Sequence, residues 1–267
     1  MSEAEKSEVF QHFGAYSGYD QRYYDHFNVK RGLRNADGTG VVAGITSISN
    51  VHGYLTDEGV KIPDEGRLTI RGYDIKDLVD GAVAEGRPGY EEVAYLLLTG
   101  DLPTASQLES FRASIDSYRD LPRGFVNNLI MNFPSKNVMN MMARSVLMLY
   151  AMDSSTETDV VDPEHEVQIA VQMLSRLPRI AVLSYLASRQ HEDPTAPMYI
   201  NPPLPGLSTA ETVLHMLRHD MEWTPQEARM LDIMLMLHAE HGGGNNSTFT
   251  TRVLTSSGTD AYSAYAG

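Results

Sequence analysis

LHAEHGGGNNSTFTTR, residues 237–252, is the stretch that decides the fold. It places His238 and His241 at the end of an apolar helix, and three glycines follow at positions 242–244. Asn245 and the polar residues after it are typical of a helix start, because short polar side chains can accept hydrogen bonds from the unpaired backbone N–H groups there. The stretch therefore predicts two helices joined by a tight bend, a junction that suits the binding of an anion.

The helix before the bend begins with the sequence TPQE, residues 224–227. Its threonine and glutamate have the spacing of a capping box, and proline suits the first position of a helix. Residues 230–237 are then apolar except for Asp232. We expect a helix with so little polar surface to be buried in a core or in a subunit interface. Gly242 is expected to close it in the left-handed backbone conformation.

Helical patterns also cover most of the chain before this point. Helices are predicted over residues 90–98, 105–118, 138–152 and 167–189, and from the cap Ser208 to about His219. The methionine-rich helix at 138–152 is apolar almost all round, so we expect it to be buried. The helix at 167–189 is expected to be interrupted near Pro178, because proline lacks a backbone donor and crowds the preceding turn. The proline-rich residues 193–205 are expected to form a loop.

Strand patterns are confined to the region near the N-terminus. Residues 41–51 mix β-branched and small residues, and residues 67–71 form a second such run after a loop around Pro63 and Gly66. The expected fold class is therefore mostly α, with one small β element.

Composition excludes several classes of function. The 267 residues carry a formal net charge of −14, which argues against nonspecific binding of nucleic acid. The sequence contains no cysteine, which excludes disulfides, thiolate metal sites and a cysteine nucleophile. No apolar run approaches the roughly 20 residues that cross a bilayer, and the acidic start is unlike a targeting peptide. We therefore expect a soluble, cytoplasmic protein without nucleic-acid or membrane partners.

Other patterns carry less information. The glycines at 242–244 are not followed by Gly-Lys-Ser/Thr, so they do not form a phosphate loop. No serine lies in a Gly-x-Ser-x-Gly pattern, and serine hydrolase chemistry therefore has no support. Arg71 and Asp74 are expected to form a local ion pair in a turn after the second strand.

Three roles are open for the two histidines of the bend, His238 and His241. With Glu240 they could contribute to a metal site, although the metalloprotease motif has a different spacing. They could instead recognise an anion next to the N–H groups of the following helix. In the plainest interpretation they cap helix carbonyls, and Asn245 and Asn246 act as turn and cap residues.

Residues 238–252 resemble the signature region of citrate synthases, closest to a clostridial-type bacterial branch. Similar matches, spread over roughly residues 28–267, occur at residues 30–34, 37–41, 65–68, 71–75, 95–103 and 231–232. The resemblance implies a citrate-synthase-like helical large domain that forms a homodimer.

The chemistry implied by this resemblance is a Claisen-type condensation of acetyl-CoA with oxaloacetate, followed by hydrolysis to citrate, the entry step of the tricarboxylic acid cycle. By resemblance, His241 contacts oxaloacetate, and Asn245 and Ser247 are substrate-binding residues around the same site. His238 and Asn246 are implied as supporting residues. Acetyl-CoA is then a substrate, and neither a cofactor nor a metal is implied.

Part of the family's machinery is not found in residues 1–267. The Gly-Pro-x-His-Gly-Gly-Ala-Asn motif, whose histidine stabilises the enol, does not occur. The base aspartate, the carboxylate-clamping arginines, the small CoA-binding domain and the C-terminal helices are not found either. The resemblance therefore implies that the enol-stabilising histidine and the base aspartate lie beyond Gly267.

Residues 1–267 are accordingly expected to form the N-terminal part of the large domain, without a catalytic residue and inactive alone. Helices without their usual partners would expose apolar surface. We therefore expect the chain to be dimeric, aggregation-prone or accompanied by its missing half.

Alternative functions stay open at this point. A 2-methylcitrate synthase would use propionyl-CoA with the same oxaloacetate site. A truncated paralogue would act as a non-catalytic assembly module. A plain helical scaffold would bind no ligand.

Overall fold

The computed structural model describes residues 20–26, 32–35, 40–41, 46–153, 163–240, 242–243 and 245–267. The chain divides into two compact units, residues 1–45 and residues 46–267. In the smaller unit, helix α1 spans Gln21–His26, and Arg34 forms an isolated antiparallel bridge with Gly40. Four residues of the first predicted strand, 42–45, lie outside the described residues, and the strand observed there begins only at Ser49.

The larger unit begins with an antiparallel three-stranded sheet and continues as helices. The strands, in sheet order, are β1 (Ser49–Asp57), β2 (Val60–Ile70) and β3 (Tyr73–Asp74). The helices are α2 (Ile75–Ala84), α3 (Tyr90–Thr99), α4 (Ala105–Ser117), a π-helix (Val126–Met131), α5 (Val138–Tyr150), α6 (Pro163–Glu192), α7 (Thr209–Leu217), α8 (Pro225–His238), α9 (Asn246–Ser256) and α10 (Ala261–Ala266). The expected fold class, mostly α with a small β element near the N-terminus, is confirmed.

The β element is longer than predicted, because Pro63 and Gly66 lie inside β2 rather than in a loop. β1 and β2 pair along their length, with an irregularity between His52 and Tyr54. β3 pairs only with the last two residues of β2, so among the described residues Pro63 has a strand neighbour on one side alone. Proline is tolerated at such an edge position.

The predicted pair of Arg71 with Asp74 is wrong, since both side chains have other partners. Nε of Arg67 lies 2.7 Å from Oδ2 of Asp74. Asp74 is paired with Thr69 in the antiparallel ladder, so Arg67 is its diagonal neighbour and within reach of a long side chain. Arg71 instead donates to the carbonyl oxygen of Leu97 in α3, at 2.8 Å.

Two hydrophobic clusters hold the larger unit together. The first joins side chains of the π-helix, α5, α6, α7 and α10. The second is built from β2, α2, α3 and α8, and its buried members are Ile70, Ile75, Leu78, Ala82, Val93, Leu96 and Met236. The helix that leads into the candidate site is therefore anchored in the smaller cluster through Met236.

Helix α5 is buried on one face only, not all round as predicted. Its Met141 is 1% exposed, whereas its Met139 is 71% exposed. Helix α8 shows the same division, with Met236 fully buried and Met230 58% exposed. A nearly all-apolar sequence predicts the helix, but it does not indicate which face of that helix is buried by the rest of the chain.

Helix α6 runs through Pro178 without a break, contrary to the prediction. Before the proline, Oγ of Ser175 donates to the carbonyl oxygen of Ile115 at 2.5 Å. After it, Ile180 is fully buried. Packing on both sides of the proline offsets its cost, which is about 3 kcal/mol in a helix interior.

The other helix predictions are confirmed. Ser208 and Thr224 both form capping boxes at the starts of α7 and α8. The helices predicted at 90–98 and 105–118 are α3 and α4, and residues 193–205 contain no helix or strand. No helix in the described part of the chain is both long and apolar enough to cross a membrane.

Candidate functional site

Helix α8 is anchored in the smaller hydrophobic cluster and ends at the predicted site. Its last residue is His238, whose exposed ring has Nδ1 2.7 Å from the carbonyl oxygen of Met234. A carbonyl oxygen only accepts, so Nδ1 is the donor, and the ring caps a carbonyl of its own helix. This contact agrees with the plainest interpretation of His238 and with the supporting role that the family resemblance implies.

The bend after α8 is held by close contacts of its glycine backbone. Gly242 is buried, has a φ of +95°, and its N–H donates to Oε1 of Glu240 at 2.8 Å. A Cβ at this position would lie 3.2 Å from Cγ2 of Val51 in β1. A Cβ at Gly243 would lie 2.7 Å from Cγ2 of Thr46. The start of the β element therefore packs directly on the bend. The positive φ expected at Gly242 is confirmed. The prediction that Gly242 closes α8 is wrong, because the helix already ends at His238 and its C-cap is Ala239, with a φ of −63°.

Asn245 begins the helix after the bend. Its Oδ1 accepts from the backbone N–H of Ser247 at 2.6 Å and from that of Thr248 at 3.4 Å. The prediction that an asparagine caps this helix is therefore confirmed for Asn245. The side chain that the family resemblance assigns to substrate binding also fixes the direction of α9.

The first turn of α9 presents polar side chains to the surface. Asn246 and Ser247 are both exposed. The N-terminal end of a helix carries partial positive charge, which favours an anion. Asn245 already accepts from two N–H groups of this turn, so a ligand would meet the side chains before these amides. The arrangement can bind and orient a polar or anionic ligand.

His241 and Gly244 lie outside the described residues. The oxaloacetate contact assigned to His241 is therefore still a prediction. His238, Asn245, Asn246 and Ser247 do lie at one helix–bend–helix junction, as predicted. In the described ranges, no group of three or more His, Asp or Glu side chains converges in a way that could hold a metal ion.

Gly267 follows the last helix, α10, and is its C-cap. Its N–H donates to the carbonyl oxygen of Ser263 at 3.3 Å. The expectation that the enol-stabilising histidine and the base aspartate lie beyond Gly267 concerns residues other than these 267. It is therefore still a prediction, like the contact assigned to His241.

The two carboxylates at the start and middle of α8, Glu227 and Asp232, have pKa values shifted in opposite directions. Hydrogen bonding from Arg218 lowers the pKa of Glu227 to about 2. Burial raises the pKa of Asp232, although hydrogen bonds from the backbone of Gly89 and Tyr90 act in the other direction. Burial also raises the pKa of Tyr90 to about 12.

In the sequence, Asp232 stands out only as the exception in an apolar run and as part of one family match, at residues 231–232. The structure shows that it is 5% exposed and hydrogen-bonded to a different helix. A single carboxylate in an otherwise apolar stretch could have signalled this, because buried carboxylates require partners. The identity of the partner is not readable locally, since it lies 143 positions earlier in the chain.

Known proteins are similar to this chain over most of its length. The family model described as citrate synthase, C-terminal domain, matches residues 35–267. The 2-methylcitrate synthase 2 of Corynebacterium glutamicum is 34% identical over 245 residues, which cover 90% of this chain and 56% of that protein. The citrate synthase of Haloferax volcanii is 32% identical over 88% of this chain and 55% of that protein. The chain thus spans about half the length of these relatives.

The fold is also similar to solved structures. The crystal structure of citrate synthase from Pyrobaculum aerophilum superposes with a TM-score of 0.71 at 27% sequence identity. The match covers 90% of this chain and 56% of that one. The mostly helical architecture with its small sheet is therefore the architecture of these enzymes over the matched part.

Proposed function

The chain belongs to the citrate synthase family, and from this premise we propose that the protein condenses acetyl-CoA with oxaloacetate and water, giving citrate and CoA. The observation that carries the proposal is the junction of α8 and α9. There the signature residues form a polar bend between two helices, with exposed groups at the positive end of α9. Oxaloacetate is a dianion, so this junction suits one of its carboxylates.

The roles proposed for this chain are binding and orientation. His241 contacts oxaloacetate, Ser247 and Asn245 support the same site, and His238 and Asn246 hold the junction. A neutral or protonated imidazole next to a carbonyl can polarise it for attack, a form of electrostatic stabilisation.

We propose that the groups that transfer protons are not among residues 1–267. The enol-stabilising histidine and the base aspartate are not among the 267 residues that end at Gly267, and these residues alone are inactive. Acetyl-CoA is a substrate in this scheme, and no metal or cofactor takes part.

A second candidate function is 2-methylcitrate synthesis from propionyl-CoA. The relatives favour it as strongly as citrate synthesis, since proteins with both names are 30–34% identical to this chain. One additional methylene changes selection by only about 1–3 kcal/mol. Rates with acetyl-CoA and propionyl-CoA, measured on an enzyme with a complete active site, would separate the two candidates.

We also propose that the protein is a homodimer in the cytoplasm. Supporting this, both α5 and α8 carry exposed methionines and leucines, among them Met139, Leu147, Met230 and Leu237. Met230 and Leu237 are seven residues apart, so they lie on one face of α8, and a contiguous exposed apolar patch is typical of an interface. A truncated paralogue that uses these helices only for assembly is the non-catalytic alternative, and substrate binding distinguishes it.

The test is a calorimetric titration of oxaloacetate into the 267-residue chain and two variants. His241→Gln should weaken binding about tenfold or more, because a hydrogen bond to a charged ligand contributes about 1.5–3 kcal/mol. His191→Gln is the matched control, since His191 is an exposed histidine on α6, away from the bend. Equal affinities for all three chains would overturn the role of His241, and no binding at all would support the assembly module.

A second measurement addresses catalysis. Thiol release from acetyl-CoA plus oxaloacetate should be absent with the 267-residue chain. Turnover by this chain would show that the proposed division of residues is wrong.

A further inference from the structure

Asp232 is the one carboxylate in the apolar run at 230–237 of helix α8. The residue is 5% exposed, so it has lost nearly all of its contact with water. Transfer of a carboxylate out of water is costly unless strong hydrogen bonds compensate for it. The position of Asp232 therefore requires specific partners.

Those partners are the first backbone N–H groups of helix α3. Oδ2 of Asp232 accepts from the N–H of Gly89 at 2.7 Å, and Oδ1 accepts from the N–H of Tyr90 at 3.1 Å. Gly89 is the N-cap of α3 and has no side chain with which to cap it. Asp232 therefore supplies the cap from another helix, with its negative charge at the positive end of α3.

Met236, one turn after Asp232 on the same face of α8, makes the second contact. A Cβ added at Gly89 would lie 2.6 Å from Sδ of Met236 and 2.9 Å from Cβ of Ala82. At distances below 3.0 Å a neighbour must shift; the end of the Met236 side chain is flexible, but Cβ of Ala82 is held by the backbone of α2, so glycine permits the approach without displacing α2. The backbone at Gly89 thus touches α8 at two points, a carboxylate and a fully buried methionine.

This two-point contact fixes α8 along its axis. A helix rises 1.5 Å per residue, so a shift of one residue would break both hydrogen bonds of Asp232 and push Met236 against the backbone at Gly89. Apolar packing alone tolerates small slides more readily than such directed bonds. His238 ends the helix two residues after Met236, so its position follows from the same contact.

We propose that Asp232 is a positioning residue, whose bonds to the start of α3 hold α8 in the register that presents residues 238–247 to the substrate. The proposal rests on the proposed function for the identity of that substrate. The effect of Asp232 on the position of the bend does not depend on the proposed function.

Asp232→Asn is the first test, because it keeps the shape and removes the charge and one of the two acceptors. The readout is hydrogen exchange of the 267-residue chain, compared between peptides that cover residues 239–248 and peptides from α5 and α6. Exchange of residues 239–248 should accelerate about tenfold or more beyond the change in α5 and α6, as expected for the loss of a buried charged hydrogen bond.

Glu91→Gln is the matched control. Glu91 is 1% exposed, and its Oε1 accepts from the N–H of Thr209 at 2.7 Å, so it also caps a remote helix, α7. The control loses the same kind of bond but leaves both hydrogen bonds of Asp232 to Gly89 and Tyr90 in place. Equal acceleration at residues 239–248 in both variants, or a uniform rise along the whole Asp232→Asn chain, would overturn the proposal.

Gly89→Ala covers the case in which Asp232→Asn does not fold. It keeps every charge and only adds a methyl group between α3 and α8, so it should also accelerate exchange at residues 239–248. Unchanged exchange there would overturn the proposal.

Oxaloacetate titration of Asp232→Asn separates this proposal from the proposed function. Weaker binding of oxaloacetate together with faster exchange at residues 239–248 supports both the positioning role of Asp232 and the proposed function. A looser bend with wild-type affinity supports the positioning of the bend and overturns its link to the substrate.

Discussion

Helices α5 and α8 are similar in composition, but different contacts hold them in place. Both are rich in methionine, and each buries one face and exposes the other. The buried side chains of α5 are Met141, Ser145, Val146 and Leu149, and Oγ of Ser145 bonds only to its own helix, at the carbonyl oxygen of Met141. Helix α8 has Met236 and, in addition, Asp232 bonded to another helix. Apolar burial stabilises both, and Arg144 of α5 also donates to the carbonyl oxygen of Phe133 outside the helix. Among the buried side chains of the two helices, however, Asp232 is the one that bonds to another helix in the described part of the chain.

The largest effects are expected from truncating the two buried methionines. Met141→Ala and Met236→Ala should each lower the free energy of unfolding by about 2–5 kcal/mol, because each leaves a cavity in a packed cluster. Urea denaturation measures this loss. Hydrogen exchange should then show that only Met236→Ala also loosens residues 239–248. The comparison between the helices fails if Met141→Ala loosens the bend to the same extent.

Smaller effects are expected at the starts of the two helices. Asn137 caps α5 by accepting from the N–H of Asn140 at 2.9 Å, whereas Thr224 caps α8 in a reciprocal box with Glu227. Asn137→Ala and Thr224→Ala should each cost about 0.5–2 kcal/mol. The larger loss is expected for Thr224, because its hydroxyl both accepts from the N–H of Glu227 and donates to the carboxylate of Glu227, whereas the bond from the backbone N–H of Thr224 remains. Thermal unfolding of the two variants compares their losses of stability. A larger loss for Asn137→Ala than for Thr224→Ala would contradict this prediction.

The pH dependence of stability should also differ between the helices, since α5 contains no acidic residue. Hydrogen bonding from Arg218 lowers the folded-state pKa of Glu227 to about 2. The stabilisation it gives is therefore present above the unfolded pKa, about 4.5, and is lost as the pH falls towards 2. The effect is modest because the pair is exposed to solvent.

Urea midpoints of wild type and Glu227→Gln measure this effect between pH 7 and pH 2. The difference between the two chains should shrink as the pH falls. A difference that grows on acidification would show that Arg218 does not stabilise the ionised form of Glu227.

The smallest effects on the folded chain are expected at the exposed methionines. Met139→Gln and Met230→Gln should change stability by less than about 0.5 kcal/mol, because surface substitutions remove few contacts. Analytical ultracentrifugation should nevertheless show weaker self-association for the variant that lies in the proposed dimer interface. Unchanged association for both variants would place that interface elsewhere.

Local signals in the sequence were sufficient wherever a structure depends on near neighbours. The cap at Ser208, the capping box at Thr224 and the cap at Asn245 all involve residues within a few positions of each other. The signature stretch likewise predicted the junction of two helices, because its cap and turn residues are adjacent in the chain.

The errors came from contacts between distant residues. Pro63 lies in a strand because its partner strand supports it, and Pro178 lies in a continuous helix because packing on both sides compensates for the missing donor. The exposed faces of α5 and α8 depend on what the rest of the molecule covers. The roles of His241, Asn245 and Ser247 toward a substrate came from the family resemblance, and they remain predictions.

The bond between Asp232 and Gly89 also sets an order of events during synthesis. Gly89 leaves the ribosome 143 residues before Asp232. At about 5–20 residues per second, the start of α3 waits on the order of ten seconds for its cap. Until then the cluster of β2, α2 and α3 lacks Met236, and its apolar side chains are incompletely covered. Residues 60–99 of the nascent chain therefore depend on the emergence of α8, and chaperones have this interval in which to bind them.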